Sequence, residues 1–246
     1  MRIGELLGFA AGAVIAPLAA VVSMARRGRP VHRNGVVYRA EVTPDALSGA
    51  EKELGQRLSG PALVRFSSGL WRVETERKPD LLGVSIRFRK DTTVSALPTQ
   101  GDQDLLFATL RRAWLLVPAA FTTNVRSFLW DDYYTVAKFE SEELGLVKFR
   151  LVAPRIPDSG ESRERALDEA AKDGTAVLAL QARDVRRGAV YEPVARIRLI
   201  ERVDVDQDAL RFSPFRAGRG IVARGFLNAI RVLPYAASQL ARPQHK

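Results

Sequence analysis

The sequence contains no cysteine. That excludes disulfides, iron–sulfur clusters, thiolate-ligated haem, cysteine nucleophiles and cysteine zinc sites together. Histidine is nearly as scarce: His32 and His245 are the only two, and His245 is the penultimate residue. A three-histidine metal site cannot be built, so imidazole chemistry has to rest on His32. Internal repeats and low-complexity linkers are missing as well. The 246 residues therefore read as one α+β domain, 29–246, behind an N-terminal appendage, 1–28. Acidic residues are in deficit: 38 Lys+Arg face 28 Asp+Glu, a net charge of +10. This balance favours anionic partners such as nucleic acid, an acidic membrane face or a carboxylate-bearing cofactor. With 46% hydrophobic and 27% charged residues, the composition is that of a globular protein and not of a disordered chain.

Leu6 to Ala25 (LLGFAAGAVIAPLAAVVSMA) carries no charge. As a helix it would be about 30 Å long, enough to cross a hydrocarbon core. Arg26, Arg27 and Arg29 follow it, whereas only Arg2, opposed by Glu5, precedes it. The positive-inside bias then puts the main domain in the cytoplasm or on the cytoplasmic face of a membrane, anchored by a single pass. Two other readings stay open. Ala and Gly are weakly apolar and Pro17 interrupts the run, which fits a helix docked on the domain. Small residues near Ser23–Ala25 fit a signal-peptide cleavage site, with a single arginine ahead of it.

Beyond residue 35 the hydrophobic period shortens to two. Val36–Val42, Ala62–Ser67, Val84–Lys90, Val147–Val152, Val177–Arg183 and Val194–Val205 all alternate, several with Arg or Lys opposite Val, Ile, Leu and Phe. Such runs joined by Gly, Pro and Asp turns predict an antiparallel sheet that curls or closes into a barrel. Helical patterns are expected at Pro118–Phe139, at Glu161–Lys172 with Ser159 as cap, and at Gly225–Ala241. Pro154–Arg163 reads as an exposed loop, and Asp131-Asp132-Tyr133-Tyr134 as an exposed helix face. Gly218-Arg219-Gly220 lacks the Lys-Ser/Thr of a phosphate loop, and no nucleic-acid-binding module is present, so nucleic acid is not an expected partner.

Three segments carry chemistry. The first is Arg29-Pro30-Val31-His32-Arg33-Asn34-Gly35. The second is Arg65-Phe66-Ser67-Ser68, followed by Pro79-Asp80-Leu81-Leu82-Gly83-Val84-Ser85-Ile86-Arg87-Phe88. The third runs from Arg231-Val232-Leu233-Pro234-Tyr235 to Arg242. In the last, Arg231, Tyr235, Ser238 and Arg242 fall four, three and four residues apart and share one helix face. A guanidinium one turn from a phenol favours the phenolate. A phenolate is a hard oxygen donor suited to ferric iron, and tyrosine serves as an axial haem ligand. Arg242, Arg29 and Arg65 would meet haem propionates. His32 on the other haem face could move a proton between the oxygens of a bound peroxide.

These segments resemble the haem catalases and their shortened relatives. That family carries its distal histidine in Arg-x-x-His-x-x-Gly, followed by a strand with Arg-Phe-Ser and by Asp-x-Arg-Gly-x-x-x-x-Phe. It closes with Arg-x-x-x-Tyr-x-x-(Thr/Ser)-x-x-x-Arg, and the motifs occur here in the same order over about residues 29–242. The resemblance implies a catalase-like antiparallel β-barrel with flanking helices behind the N-terminal apolar helix, and haem b as cofactor. It implies His32 as the distal acid–base residue, Ser67 as its hydrogen-bond support and Gly83 as the close approach to the porphyrin. Arg29, Arg65 and Arg242 become propionate contacts and Phe121 the distal-pocket phenylalanine. Tyr235 becomes the iron ligand, with Arg231 and Ser238 on its face. The implied partners are a peroxide or organic hydroperoxide and a reducing co-substrate.

The departures matter equally. Leu82 stands where the family motif has arginine. After Gly101-Asp102-Gln103-Asp104-Leu105-Leu106 the family's distal asparagine is replaced by Phe107-Ala108-Thr109. Thr109 would offer a hydroxyl in its place, and Asn124 an amide from the next helix. Loss of such a donor costs orders of magnitude in a step that depends on it. Pro234 directly precedes the ligand tyrosine inside an expected helix. The expected activity is therefore that of a haem peroxidase or hydroperoxide-processing enzyme with weak or no catalase turnover. A membrane-associated haem- or lipid-binding barrel without turnover is the alternative.

Overall fold

The computed structural model describes residues 35–69, 78–112, 115–158, 160–186, 188, 190–207 and 209–225. The strands are β1 (Gly35–Pro44), β2 (Gly60–Ser68), β3 (Leu82–Phe88), β4 (Gln103–Ala108), β5 (Tyr133–Tyr134), β6 (Lys138–Ser141), β7 (Gly145–Val152), β8 (Val177–Asp184), β9 (Glu192–Val203) and β10 (Val222–Arg224). The helices are α1 (Gly49–Leu58), α2 (Leu116–Thr122) and α3 (Arg163–Lys172). The sheet order is β10-β6-β7-β5-β4-β3-β2-β1-β9-β8, and β7 also pairs with β8. That pairing closes β1, β2, β3, β4, β5, β7, β8 and β9 into an eight-stranded antiparallel barrel, the closure expected from the alternating runs. β5 and β6 lie in succession along one edge of β7, and β10 extends from β6. Between them the Thr135 hydroxyl accepts the Phe149 N–H at 2.9 Å, taking over where the regular ladder is interrupted.

Alternation decides what lies inside. Tyr38, Val64, Phe66, Val84, Ile86, Leu105, Phe107, Phe149, Leu180 and Ile197 belong to one buried cluster that fills the barrel. Removing such side chains from water is the main stabilising term of the fold. The intervening residues point outward, yet on β2 and β3 most of them too are buried. Val37 and Leu63 pack under Leu210 and Phe212 of the segment that follows β9. Gly55 lets α1 lie flush on β9, because a Cβ there would collide with the Val194 carbonyl. Gly218-Arg219-Gly220 serves structure: Arg219 donates to the carbonyls of Arg57, Ser59 and Arg89.

Three expectations are corrected. No helix spans Pro118–Phe139; α2 ends at Thr122 and the chain then enters β5 and β6. The Thr123 hydroxyl bonds back to the Ala119 carbonyl at 2.8 Å, and the Asn124 side chain takes the Arg126 N–H at 3.1 Å. Such local side-chain bonds offer the backbone an alternative to the helix. Asp131-Asp132-Tyr133-Tyr134 is accordingly a turn running into a strand, with Tyr133 fully buried, and not an exposed helix face. The N-cap of α3 is Ser162, whose side chain accepts the Arg165 N–H, and Ser159 lies outside the described residues. Among the described residues no helix is long and apolar enough to cross a membrane; Leu6–Ala25 lies outside them.

Candidate functional site

On the outer face of the barrel, strand register brings four small residues into one row. Gly35 pairs with Ser67, Ser67 with Gly83, and Gly83 with Ala108. Beyond Ala108 the row ends at Tyr134. Four neighbouring strands spaced ~4.8 Å apart give a row about 14 Å wide whose own side chains are small, with the Arg65 guanidinium over Gly35 at one end and Ala119 and Ala120 of α2 packed near Ala108 at the other. Ser67 is buried, and its hydroxyl reaches the Gly83 carbonyl at 3.4 Å.

Arg65 stands on the same face, two residues along β2 from the row, a rise of about 7 Å. Its side chain is buried and its Nε donates to Gln207 Oε1 at 2.9 Å. Gly35 makes room for it: a Cβ at that position would sit 2.9 Å from the guanidinium carbon and would strike the Phe66 carbonyl. The glycine that closes the Arg29–Gly35 motif is thus the space in which Arg65 lies. Arg65 gives this face a buried cation of the kind that recognises carboxylates.

Thr109 follows directly on the row. Its Oγ1 accepts the Leu82 N–H at 3.1 Å and shares a hydrogen bond of 2.9 Å with Thr123 Oγ1, which reaches the Ala119 carbonyl at 2.8 Å. Thr109 Oγ1 is thus bonded to both the Leu82 N–H and the Thr123 hydroxyl, which fixes its side chain at the end of the row. The Asn124 Oδ1 accepts the Arg126 N–H and so fixes the side chain at that turn. Leu82, at the family's arginine position, points into the barrel core. Phe121 lies on α2 with 72% of its surface exposed.

Next to Thr109 opens a polar cavity of about 240 Å³ lined by Thr109, Thr122, Thr123, Asp131, Asp132, Tyr134 and Arg155. Arg155 adopts φ 63°, a conformation uncommon outside glycine, and donates to Asp132 at 2.9 Å and to the Trp130 carbonyl. Burial pushes the Asp131 carboxyl above its ordinary pKa; the Asn124 N–H and nearby Arg155 pull the other way.

The structure thus brings together Arg65, Ser67 and Gly83, with Thr109 at the end of the row. Arg29, His32, Arg231, Tyr235, Ser238 and Arg242 lie outside the described residues. Gly35, Ala108 and Gln207 belong to the face but were not picked out as site residues from sequence. Gly35 and Ala108 carry no functional group, and only strand register reveals their row.

No family model matches the sequence. No curated protein matches it either. In fold, the chain is similar to a solved bacterial catalase, with a TM-score of 0.56 and 13% identity over 87% of this chain. It spans 57% of the length of that catalase. The fold is therefore a catalase-like antiparallel barrel, in agreement with the architecture implied by the motifs.

Proposed function

We propose that this chain is a haem protein of catalase fold that processes hydrogen peroxide or organic hydroperoxides at the expense of an external reductant. The observation that carries the reading is the Gly35–Ser67–Gly83–Ala108 row with buried Arg65 beside it. Tyr235 would hold the haem iron, with Arg231 one turn away favouring the phenolate. Arg29, Arg65 and Arg242 would neutralise the propionates. Haem b, when bound, supplies the redox-active ferric iron for peroxide cleavage. His32 would move the proton between the peroxide oxygens, with Ser67 orienting it.

The lack of an amide side chain in Phe107-Ala108-Thr109 supports weak disproportionation. A missing distal donor leaves developing charge on the peroxide without that stabilisation. The same observation favours the second reading, a haem- or lipid-carrying barrel without turnover. Peroxide-dependent oxidation of a reporter dye by haem-loaded protein separates them. Loss of that oxidation in His32→Ala supports the enzyme; no oxidation by the haem-loaded wild type supports the carrier.

A further inference from the structure

An apolar ridge and a basic field lie side by side on the outer face of the barrel. The ridge is α2: Val117 and Phe121, four residues apart on one helix side, are 66% and 72% exposed. From Ala113 to Val125 the chain carries no charge, while Arg111 and Arg112 precede this stretch and Arg126 follows it. Trp130, partly exposed, comes soon after.

The basic field occupies the neighbouring strands. Arg150 of β7 lies 4.7 Å from the Tyr191 ring centre and Arg183 of β8 lies 5.2 Å from it. Tyr134 meets Tyr191 edge-on. Lys148 is held below its ordinary pKa by burial and by the positive charges of Arg183, Lys138 and Arg112. Arg111 is close enough to act on Tyr191. Cations from β6, β7, β8 and the approach to α2 therefore converge. Among the described residues, Arg150 meets the Asp132 carboxylate at 3.8 Å, whose closer partner is Arg155 at 2.9 Å. Val190, 76% exposed, sits beside Tyr191.

We propose that this face docks on an anionic lipid bilayer, with Val117 and Phe121 entering the interface and the surrounding arginines and lysines meeting lipid headgroups. Exposed apolar side chains bracketed by cations are what such a surface recognises: the apolar groups leave water while the cations stay at headgroup depth. The chain's net charge of +10 attracts the protein to that surface from a distance. This docking is distinct from any role of Leu6–Ala25 and does not rest on the haem reading.

The absence of cysteine permits a direct test. In the full chain, Val117→Cys, Phe121→Cys and Leu47→Cys are each labelled with an environment-sensitive dye; Leu47 is 91% exposed on the approach to α1 and serves as control. Vesicles of phosphatidylcholine mixed with phosphatidylglycerol should shift the dye emission to the blue at 117 and 121 and leave 47 unchanged. Phosphatidylcholine alone should shift none. Arg111→Ser with Arg112→Ser should weaken the vesicle affinity about thirtyfold, from ~1 kcal/mol per cation near an anionic surface. Equal shifts at all three positions, or none at 117 and 121, would overturn the proposal. So would a shift produced by haemin without vesicles, which would put the ridge against cofactor instead of lipid.

Discussion

Arg87 and Asp104 form an ion pair that is completely buried yet lies outside the barrel interior. Arg87 of β3 donates from Nε to Asp104 Oδ1 at 3.0 Å and from Nη2 to Oδ2 at 3.3 Å, across the β3–β4 ladder. Asp104 Oδ2 also accepts the Ser213 N–H at 2.9 Å and an Arg216 guanidinium. The Phe212 ring covers Arg87 at 4.9 Å. The pair thus fastens the segment after β9 to the sheet that carries the row. Asp104→Ala should cost about 3–5 kcal/mol in urea unfolding, because it strands a buried guanidinium. Arg87→Met with Asp104→Leu should recover only part of that loss, because the Ser213 N–H and Arg216 still lose their carboxylate.

Tyr38 reaches from the barrel interior to Asp168 on α3, donating its hydroxyl to one carboxylate oxygen while Arg202 donates to the other at 3.2 Å. Burial, then the bond to Asp168, holds the phenol well above its ordinary pKa, so it stays a donor at every working pH. Tyr38→Phe should lower stability by about 1.5–3 kcal/mol, the range for a hydrogen bond to a charged group. Denaturant midpoints of the two proteins measure it.

Asp131 gives the fold a pH dependence of definite sign. Its carboxyl pKa is raised on folding, so the folded state binds the proton more tightly than the unfolded chain. The associated stability is full below the ordinary carboxylate pKa and is lost as pH rises through the raised value. Asp131→Asn keeps an oxygen for the Asn124 N–H, bonded now at 2.6 Å, and removes the buried charge. It should be more stable than wild type at neutral pH, with the difference vanishing in acid. Thermal unfolding across that range checks it.

Much of the barrel was legible in the sequence, because alternation places apolar residues on one face of each strand. All six alternating runs became strands. β4 escaped notice because it opens on two buried polar residues: Gln103, on the side of Leu105, donates to the Arg216 and Ile221 carbonyls, and Asp104, on the other side, is held by Arg87, Arg216 and Ser213. α1 escaped because its two core leucines, Leu54 and Leu58, sit among charged residues and two glycines. The apolar stretch from Pro118 looked helical throughout, but Thr123 and Asn124 end the helix with side-chain bonds that hydrophobic period does not reveal. The motifs single out Arg65, Ser67 and Gly83, which strand register sets on one face. Gly35 and Ala108 emerge only from pairing across four strands.

Gly35→Ala tests the space around Arg65. The added methyl would press on the Arg65 guanidinium and on the Phe66 carbonyl. The β1–β2 edge must shift, at a cost of about 1–3 kcal/mol. Urea unfolding should record that loss, while Gly174→Ala, with open space around it, changes stability by backbone conformation alone.

The central claim is that the row of small residues accepts a haem, and titration of the apoprotein with haemin under absorption spectroscopy tests it most directly. The account predicts a saturable Soret band at equimolar haemin in the wild type. In Gly83→Val, which plants a branched side chain on the row, affinity should fall by about tenfold or more. A wild type that develops no such band, or a Gly83→Val protein that binds haemin equally well, would contradict it.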